Sequence, residues 1–295
     1  MSVKNIELII NPNAGRGAGA RTGPDIARYL SQHGFDCEAR ITNDRGHATE
    51  LAREAAANGA DCVAIAGGDG SVFEVVNGLM QAGGNMPLAV LPLGTGNDFA
   101  KMLDSPDWQT VCDKLAAGHT TAIDVGVCND VYFANGIGAG FDAKVARIAN
   151  RIHWLRGDAV YAAALLRTLA FHHDNPVVRV TTETETFAHR ATLLAVANGR
   201  VYGGSFRVAP QASITDGLLD VVFAENFSRG QILKLIPRVL RGTHLDLPGV
   251  HFLRAKKVTV ECDSPLPVHA DGEIIEHGTE KLSIGVLPGA LRVVD

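Results

Sequence analysis

The feature that most constrains this chain is a rhythm in its first hundred residues. Three times a short apolar run drives into a glycine-bearing turn and then into a helical pattern. The turns are NPNAGRGAG (11–19), GGDGS (67–71) and PLGTGND (92–98), and they follow apolar runs at 6–10, 62–66 and 87–91. A further alternating strand is expected at 35–42. Helices are expected from about Pro24 to a stop at Gly34, over 47–57 closed by Gly59, directly after Ser71, and from about Phe99. Strands alternating with helices at this spacing specify a parallel, doubly wound sheet. Ligands of such sheets sit beyond the carboxyl ends of the strands, so the three turns should crowd one edge.

The middle turn carries the sharpest chemistry. A strand, a glycine turn and a helix leave unpaired N–H groups and the positive helix end facing one spot, which suits an anion. Gly67, Gly68 and Gly70 can take positive φ and let a phosphate approach the main chain without Cβ interference. Asp69 would repel that phosphate unless a Mg²⁺ ion sits between them. The plainer reading is an ordinary strand-to-helix turn, and from this segment alone both stand.

With 295 residues the chain exceeds one typical core, so two domains are expected. A formal net charge of −5 argues against a general nucleic-acid binder. No apolar run approaches the roughly 20 residues of a membrane span, and the N-terminal stretch does not read as a signal peptide. The five cysteines (37, 62, 112, 128, 262) show no CxxC spacing and fit free thiols in a reducing cytosol. The eleven histidines form no HExxH-type group, so spacing predicts no zinc site.

From about Thr121 the texture changes. Short strands are expected at 123–127, 131–134, 177–182, 191–197, 218–223 and 258–262, with helices at roughly 141–170 and 228–241. The fold class is therefore α/β: an N-terminal doubly wound domain and a C-terminal, mainly antiparallel β domain. The expected division is 1–122, joined by a returning segment at about 286–295, and 123–285.

Other signals have bland readings beside them. Gly15-x-Gly17-x-x-Ala20 loosely fits a dinucleotide fingerprint, but Glu38 falls mid-strand where the ribose-binding acid is expected. No GxxxxGK[ST] exists. Asp271-Gly272 and Asp216-Gly217 read first as turns. Lys144, Arg147, Arg151, Trp154 and Arg156 offer either a face for anionic headgroups or a solvated helix face with Trp154 and Leu155 in the core.

In chain order, NPNAG (11–15), GGDGS (67–71), LPLGTGNDFA (91–100) and HADGE (269–273) resemble the motifs of the diacylglycerol-kinase-type lipid kinases. The likeness is to their soluble bacterial branch, which is similar to sphingosine and ceramide kinases. GGDG alone is shared with NAD kinases and phosphofructokinases, and LPLGTGNDFA is far more specific. Ser71 stands where the family usually has Thr.

The resemblance implies an NAD-kinase-like or phosphofructokinase-like nucleotide domain, a β-rich lipid domain and a cleft between them. It implies ATP contacts at Asn11, Pro12, Asn13, Ala14, Gly15, Thr42, Gly67, Gly68, Asp69, Gly70, Ser71, Val72, Phe73, Thr95, Asn97 and Asp98, with Asp69 and Asp98 near a catalytic Mg²⁺. Asp271 would be the general base. A structural Mg²⁺ would sit in ITDGLL on the Asp216 carboxylate and on the main-chain oxygens of Ser213 and Leu218.

The implied activity is ATP- and Mg²⁺-dependent phosphorylation of a lipid alcohol, diacylglycerol first, by a cytoplasmic protein that visits the membrane peripherally. Arg16, Arg21 or Lys101 would supply positive charge in place of a Walker lysine. The partners implied are the lipid substrate and the membrane, with no nucleic acid; the oligomeric state, a homodimer included, is written in no motif. Two alternatives stay open: an NAD-kinase-like phosphotransferase with a soluble acceptor, and a non-catalytic nucleotide-binding regulatory module.

Overall fold

A computed structural model describes residues 3–152, 155, 158–171 and 175–295. The chain divides into two compact units, Met1–Asp124 with Gly289–Asp295, and Val125–Pro288.

In the first unit the order is β1 (Asn5–Ile10), α1 (Ala18–Gln32), β2 (Asp36–Ile41), α2 (His47–Ala57), β3 (Cys62–Gly67), α3 (Asp69–Gln81), β4 (Leu88–Pro92), α4 (Asp98–Met102) and α5 (Trp108–Ala116). Next comes β5 (Thr120–Cys128), in which the chain passes to the second unit. β2, β1, β3 and β4 pair in parallel in that spatial order, and the end of the chain adds Val293 opposite Leu88. The chain leaves β1 toward β2 on one side and returns to β3 on the other. That reversal is a topological switch point, where such sheets bind ligands.

β3 is buried at all six positions because helices cover both faces of a parallel sheet. Leu8, Ile10, Ala64 and Leu91 of the sheet pack with Ile26 and Leu30 of α1, Val111 and Leu115 of α5, and Val294.

α1 differs from expectation. It begins at Ala18, so Pro24 lies inside it rather than in its first turn. The glycine loop winds directly into the helix: the Gly19, Ala20 and Arg21 amides donate to the carbonyls of Ala14, Pro12 and Gly17.

The second unit contains β6 (Val131–Phe133), β7 (Gly136–Gly140), α6 (Phe141–Ala149), α7 (Asp158–Phe171), β8 (Val177–Thr181), β9 (Thr186–Ala197), β10 (Leu219–Glu225), α8 (Arg229–Arg241), β11 (Val250–Ala255) and β12 (Lys257–Ala270). The last strand, β13 (Glu273–Val294), runs back into the first unit. The pairing β11-β10-β9-β7-β12-β13 is antiparallel throughout, and β8 joins β9 to β12. Sequence pattern missed β7 because every second residue of GIGAG is glycine, which reads as a strand breaker.

Candidate active site

The three glycine turns of the first unit meet. The Asn11 amide donates to Ala66 O at 3.0 Å, and the Leu93 amide donates to Gly67 O at 2.8 Å. Asn11 Nδ2 donates to Ser71 Oγ at 2.8 Å, tying the end of β1 to the first turn of α3. A Cβ on Gly15 would lie 2.2 Å from Leu93 O, and one on Gly94 would lie 2.6 Å from Gly68 Cα. The positive φ open to Gly67, Gly68 and Gly70 is not used: left-handed backbone occurs in these loops at Gly15, Arg16, Gly17 and Asn97. Gly68 is extended, with φ −110°. Within GGDG, a Cβ on Gly67 would lie 2.6 Å from Ser71 Cβ of the same motif, and one on Gly68 would lie 3.1 Å from Gly94 Cα of the third loop.

Thr42 is buried at the end of β2, its amide donating to Ile10 O at 2.9 Å. Ala14 and Val72 are buried, Pro12 and Phe73 partly so, and Asn13 and Thr95 are exposed. Arg16 and Arg21 are exposed where the first loop enters α1.

The helix ends differ in what caps them. α1 starts behind Gly17 without a side-chain cap, but its Gly19 and Ala20 amides already serve the carbonyls of Ala14 and Pro12. α3 starts behind Gly68, also without a side-chain cap and with its Ser71 and Val72 amides on Gly68 O, so the Asp69 and Gly70 amides at its tip are the ones placed to face an anion. The start of α4 is already served. Asp69 accepts from the amides of Asn97, Asp98 and Phe99, the last at 3.3 Å. Burial pushes the Asp69 carboxyl up to about 6, the nearby Asp98 adds to this, and the three amides oppose it. Asp98 is buried and carries Lys101 Nζ at 3.2 Å. Two crowded carboxylates beside the uncapped start of α3 are a donor set that fits a cation and a phosphate chain together.

In the second unit, Asp271 and Gly272 have φ of 49° and 88° and connect β12 to β13, with Ala270 paired to Glu273. Positive φ at both central residues is the hairpin geometry that favours Asp-Gly. The turn reading of Asp271-Gly272 is thus what the backbone does, and the hairpin presents a carboxylate. Its Oδ2 accepts from the Ala134 amide at 2.8 Å, and its Oδ1 from the amides of Asn135 at 3.0 Å and Gly136 at 2.7 Å. Burial holds this carboxyl above its ordinary value, against those amides and the neighbouring His269. His269 Nδ1 accepts from the Gly272 amide at 3.1 Å, which leaves the ring proton on Nε2, donated to Asp142 Oδ2 at 3.1 Å.

Residues 5–128 match the diacylglycerol kinase catalytic domain, and residues 119–295 match the YegS C-terminal NAD kinase beta sandwich-like domain. A diacylglycerol kinase of Mycobacterium tuberculosis is 33% identical over 299 residues, covering 99% of this chain and 95% of that protein. The chain is a kinase of the diacylglycerol kinase family. A diacylglycerol kinase of Bacillus subtilis is 28% identical over 290 residues, covering 97% of the kinase and 92% of its relative. A solved diacylglycerol kinase structure from Bacillus anthracis, 24% identical, superposes with a TM-score of 0.78 over 100% of the kinase and 97% of that chain, a likeness of fold.

Sequence reading missed what surrounds Asp271 in the kinase. A Cβ on Gly136 would lie 1.6 Å from Tyr202 Oη, and one on Gly138 would lie 2.2 Å from His269 Nε2 and 2.3 Å from Asp142 Oδ2. The glycines of β7 make room for a buried Tyr202 and for the His269–Asp142 pair. The signal was present as GIGAGFD, glycine at alternate positions and then an acid at a helix start.

Elsewhere in the kinase, the 213–218 loop is a turn in which Asp216 Oδ1 accepts from the Leu218 amide at 3.1 Å, and Ser213 Oγ lies 3.3 Å from Thr215 Oγ1. Behind it Asp220 is buried, with Arg254 Nε at 3.1 Å on Oδ1, while its Oδ2 is buried without a hydrogen-bond donor. Burial lifts Asp220 to about 6 and Asp216 adds to it, with Arg254 opposing. That surplus of negative charge fits a cation in the loop. Of the basic segment, Trp154 and Arg156 lie outside the described residues. Lys144 and Arg147 are half-buried on α6, whose Phe141, Val145 and Ile148 are core.

Proposed function

We propose that the chain transfers the γ-phosphate of ATP to a lipid alcohol, with diacylglycerol the first candidate, as a cytoplasmic protein that contacts the membrane peripherally. The observation that carries this reading is the meeting of three loops at the switch point, with the start of α3 free of a side-chain cap. Phosphoryl transfer asks the protein chiefly to position the γ-phosphate, neutralise its charge and orient an acceptor in line. Main-chain amides at the start of α3 would hold the phosphates. Asp69 and Asp98 would hold a Mg²⁺ ion, which when bound neutralises charge on the transferring group. A second cation would sit on Asp216 with the main-chain oxygens of Ser213 and Leu218, steadying the loop before β10.

Asp271 is the proposed general base. Its Oδ1 already takes two amide protons, whereas Oδ2 takes one and keeps a lone pair for the acceptor hydroxyl. His269, neutral on Nδ1, holds the Gly272 amide and so keeps the hairpin in shape.

The membrane contact is better supported on α8 than at 144–156. Leu233 and Leu240 are exposed on α8, which carries Arg229, Lys234, Arg238 and Arg241 and no acid. Such a face suits anionic headgroups.

The test supplies purified protein with labelled ATP, Mg²⁺ and mixed micelles of candidate lipids, beside NAD as a soluble acceptor. Label is expected in diacylglycerol, with Asp271→Asn lowering the rate by about 10²–10⁴-fold. An unlabelled lipid panel, or equal labelling by the variant, sinks the proposal. NADP formation would move the acceptor to a soluble nucleotide.

A further inference from the structure

We infer that His189, Glu225 and His251 form a binding site for a divalent transition-metal ion of the zinc type, which clips together β9, β10 and β11. The three residues are far apart in sequence and on separate strands, so no ligand spacing announces them. Pairing brings them to one face. Phe223 lies opposite His251 and Glu225 opposite Ala191, with an irregularity in the ladder at Ala224/Glu225 that re-aims the glutamate. His189 is two residues from Ala191 along β9 and therefore points to the same side.

The potential ligand atoms converge. His251 Nε2 lies 2.6 Å from Glu225 Oε1, and His189 Nδ1 lies 3.7 Å from the same oxygen. All three ligand atoms fall within 4.8 Å of one another. A tetrahedral zinc ion with bonds near 2.0–2.1 Å needs ligand atoms about 3.4 Å apart, a spacing that small side-chain rotations would reach here. The two imidazoles are stacked, with centroids 5.4 Å apart and planes at 20°, as parallel ligands to one ion can be. An ion pair with Glu225 would need only one of them.

The floor of the site is apolar. Phe187 stacks on His251 at 5.3 Å, and the fully buried Phe223 meets Phe187 edge-on at 5.2 Å. This wall limits solvent on one side, while the partly exposed ligands leave the other open. Two imidazoles and one carboxylate suit zinc, copper or nickel and are poor ligands for Mg²⁺, which prefers oxygen. Three protein ligands leave a fourth position for water or an added donor. The site closes the 26-residue excursion from Glu225 through α8 to His251, so an ion there would resist separation of β10 from β11.

The full-length chain, stripped with a chelator, is titrated with Zn²⁺ by calorimetry and with Co²⁺ by visible absorption, while Mg²⁺ is kept in large excess. One ion per chain is expected at this site, together with a rise in melting temperature that a chelator reverses. His189→Gln, which leaves the Glu225–His251 contact intact, should weaken binding at least tenfold without changing metal-free melting. His189→Gln with His251→Gln should abolish it. No Zn²⁺ binding by the wild type, displacement by Mg²⁺, or undiminished affinity in His189→Gln would each overturn the assignment.

Discussion

Gly94→Ala tests whether the three loops are held in contact at their glycines. A methyl there would lie 2.6 Å from Gly68 Cα and 2.7 Å from Asn97 Oδ1, where ordinary contact begins at 3.4 Å. Gly68 Cα is backbone and cannot rotate aside, so the two loops must part by about 0.8 Å. The Leu93 amide to Gly67 O bond, 2.8 Å long, crosses that gap and would be stretched beyond hydrogen-bonding range. Overpacking costs about 1–3 kcal/mol and the lost bond about 1 kcal/mol more, so a total near 3 kcal/mol is expected. For a unit of this size that lowers the melting temperature by roughly 10 °C.

Gly68→Ala is the internal control. Its methyl would meet Gly94 Cα at 3.1 Å, and its φ of −110° suits alanine, so the loss should stay below about 1 kcal/mol. Urea unfolding of the nucleotide-free protein reads both. Equal losses in the two variants, or a Gly94→Ala protein as stable as wild type, would refute the contact argument.

Asp271→Asn should destabilise as well as inactivate, by about 2 kcal/mol in urea, because its amide nitrogen must face one of three N–H donors; unchanged stability would mean those donors are not engaged. Gly136→Ala should fail to reach wild-type stability even with Tyr202→Phe, since removing Oη still leaves Cζ 2.6 Å from the new methyl; a double variant as stable as wild type would contradict the packing. The Asp69 carboxyl, raised from 3.8 to about 6, binds its proton more tightly in the folded protein. Its contribution is therefore complete below about pH 4 and lost as pH rises through about 6, by up to about 3 kcal/mol. Wild type should accordingly lose stability relative to Asp69→Asn between those values, and a pH-independent difference would refute the shift. Arg238→Glu with Arg241→Glu should weaken sedimentation with anionic vesicles more than tenfold and leave neutral vesicles unaffected, while unchanged binding would remove α8 from the membrane contact.

What was legible in the sequence was local. The apolar run of β3, the helix of α2 between Gly46 and Gly59, and the strand–turn–helix order of the first unit follow from periodicity and turn chemistry over a dozen residues. The start of α1 was not legible, because Pro24 is a stronger local signal than loop amides that find helical carbonyls only once the loop is folded. The surroundings of Asp271 were not legible for a different reason. Its amide donors at 134–136 lie more than a hundred positions away and reach it only through the pairing of β12 with β7. The glycines of β7, which make that pairing compatible with Tyr202 and His269, look like strand breakers until the side chains they accommodate are seen.

The first-unit motifs have a physical reason to occur together. Asn11 of NPNAG binds Ser71 of GGDGS. Asp69 of GGDGS binds the amides at 97–99 of LPLGTGND, and Leu93 of that stretch blocks any side chain at Gly15 of the first loop. Each loop therefore sets what its neighbours can be, before any phosphate is considered. A glycine turn alone is compatible with many folds, but three that interlock through an amide, a carboxylate and a missing Cβ leave little freedom to any of them. Substitutions at the mutual contacts should consequently be non-additive: once Gly94→Ala has parted the loops, loss of the Asn11–Ser71 bond should cost less than it does in the wild type.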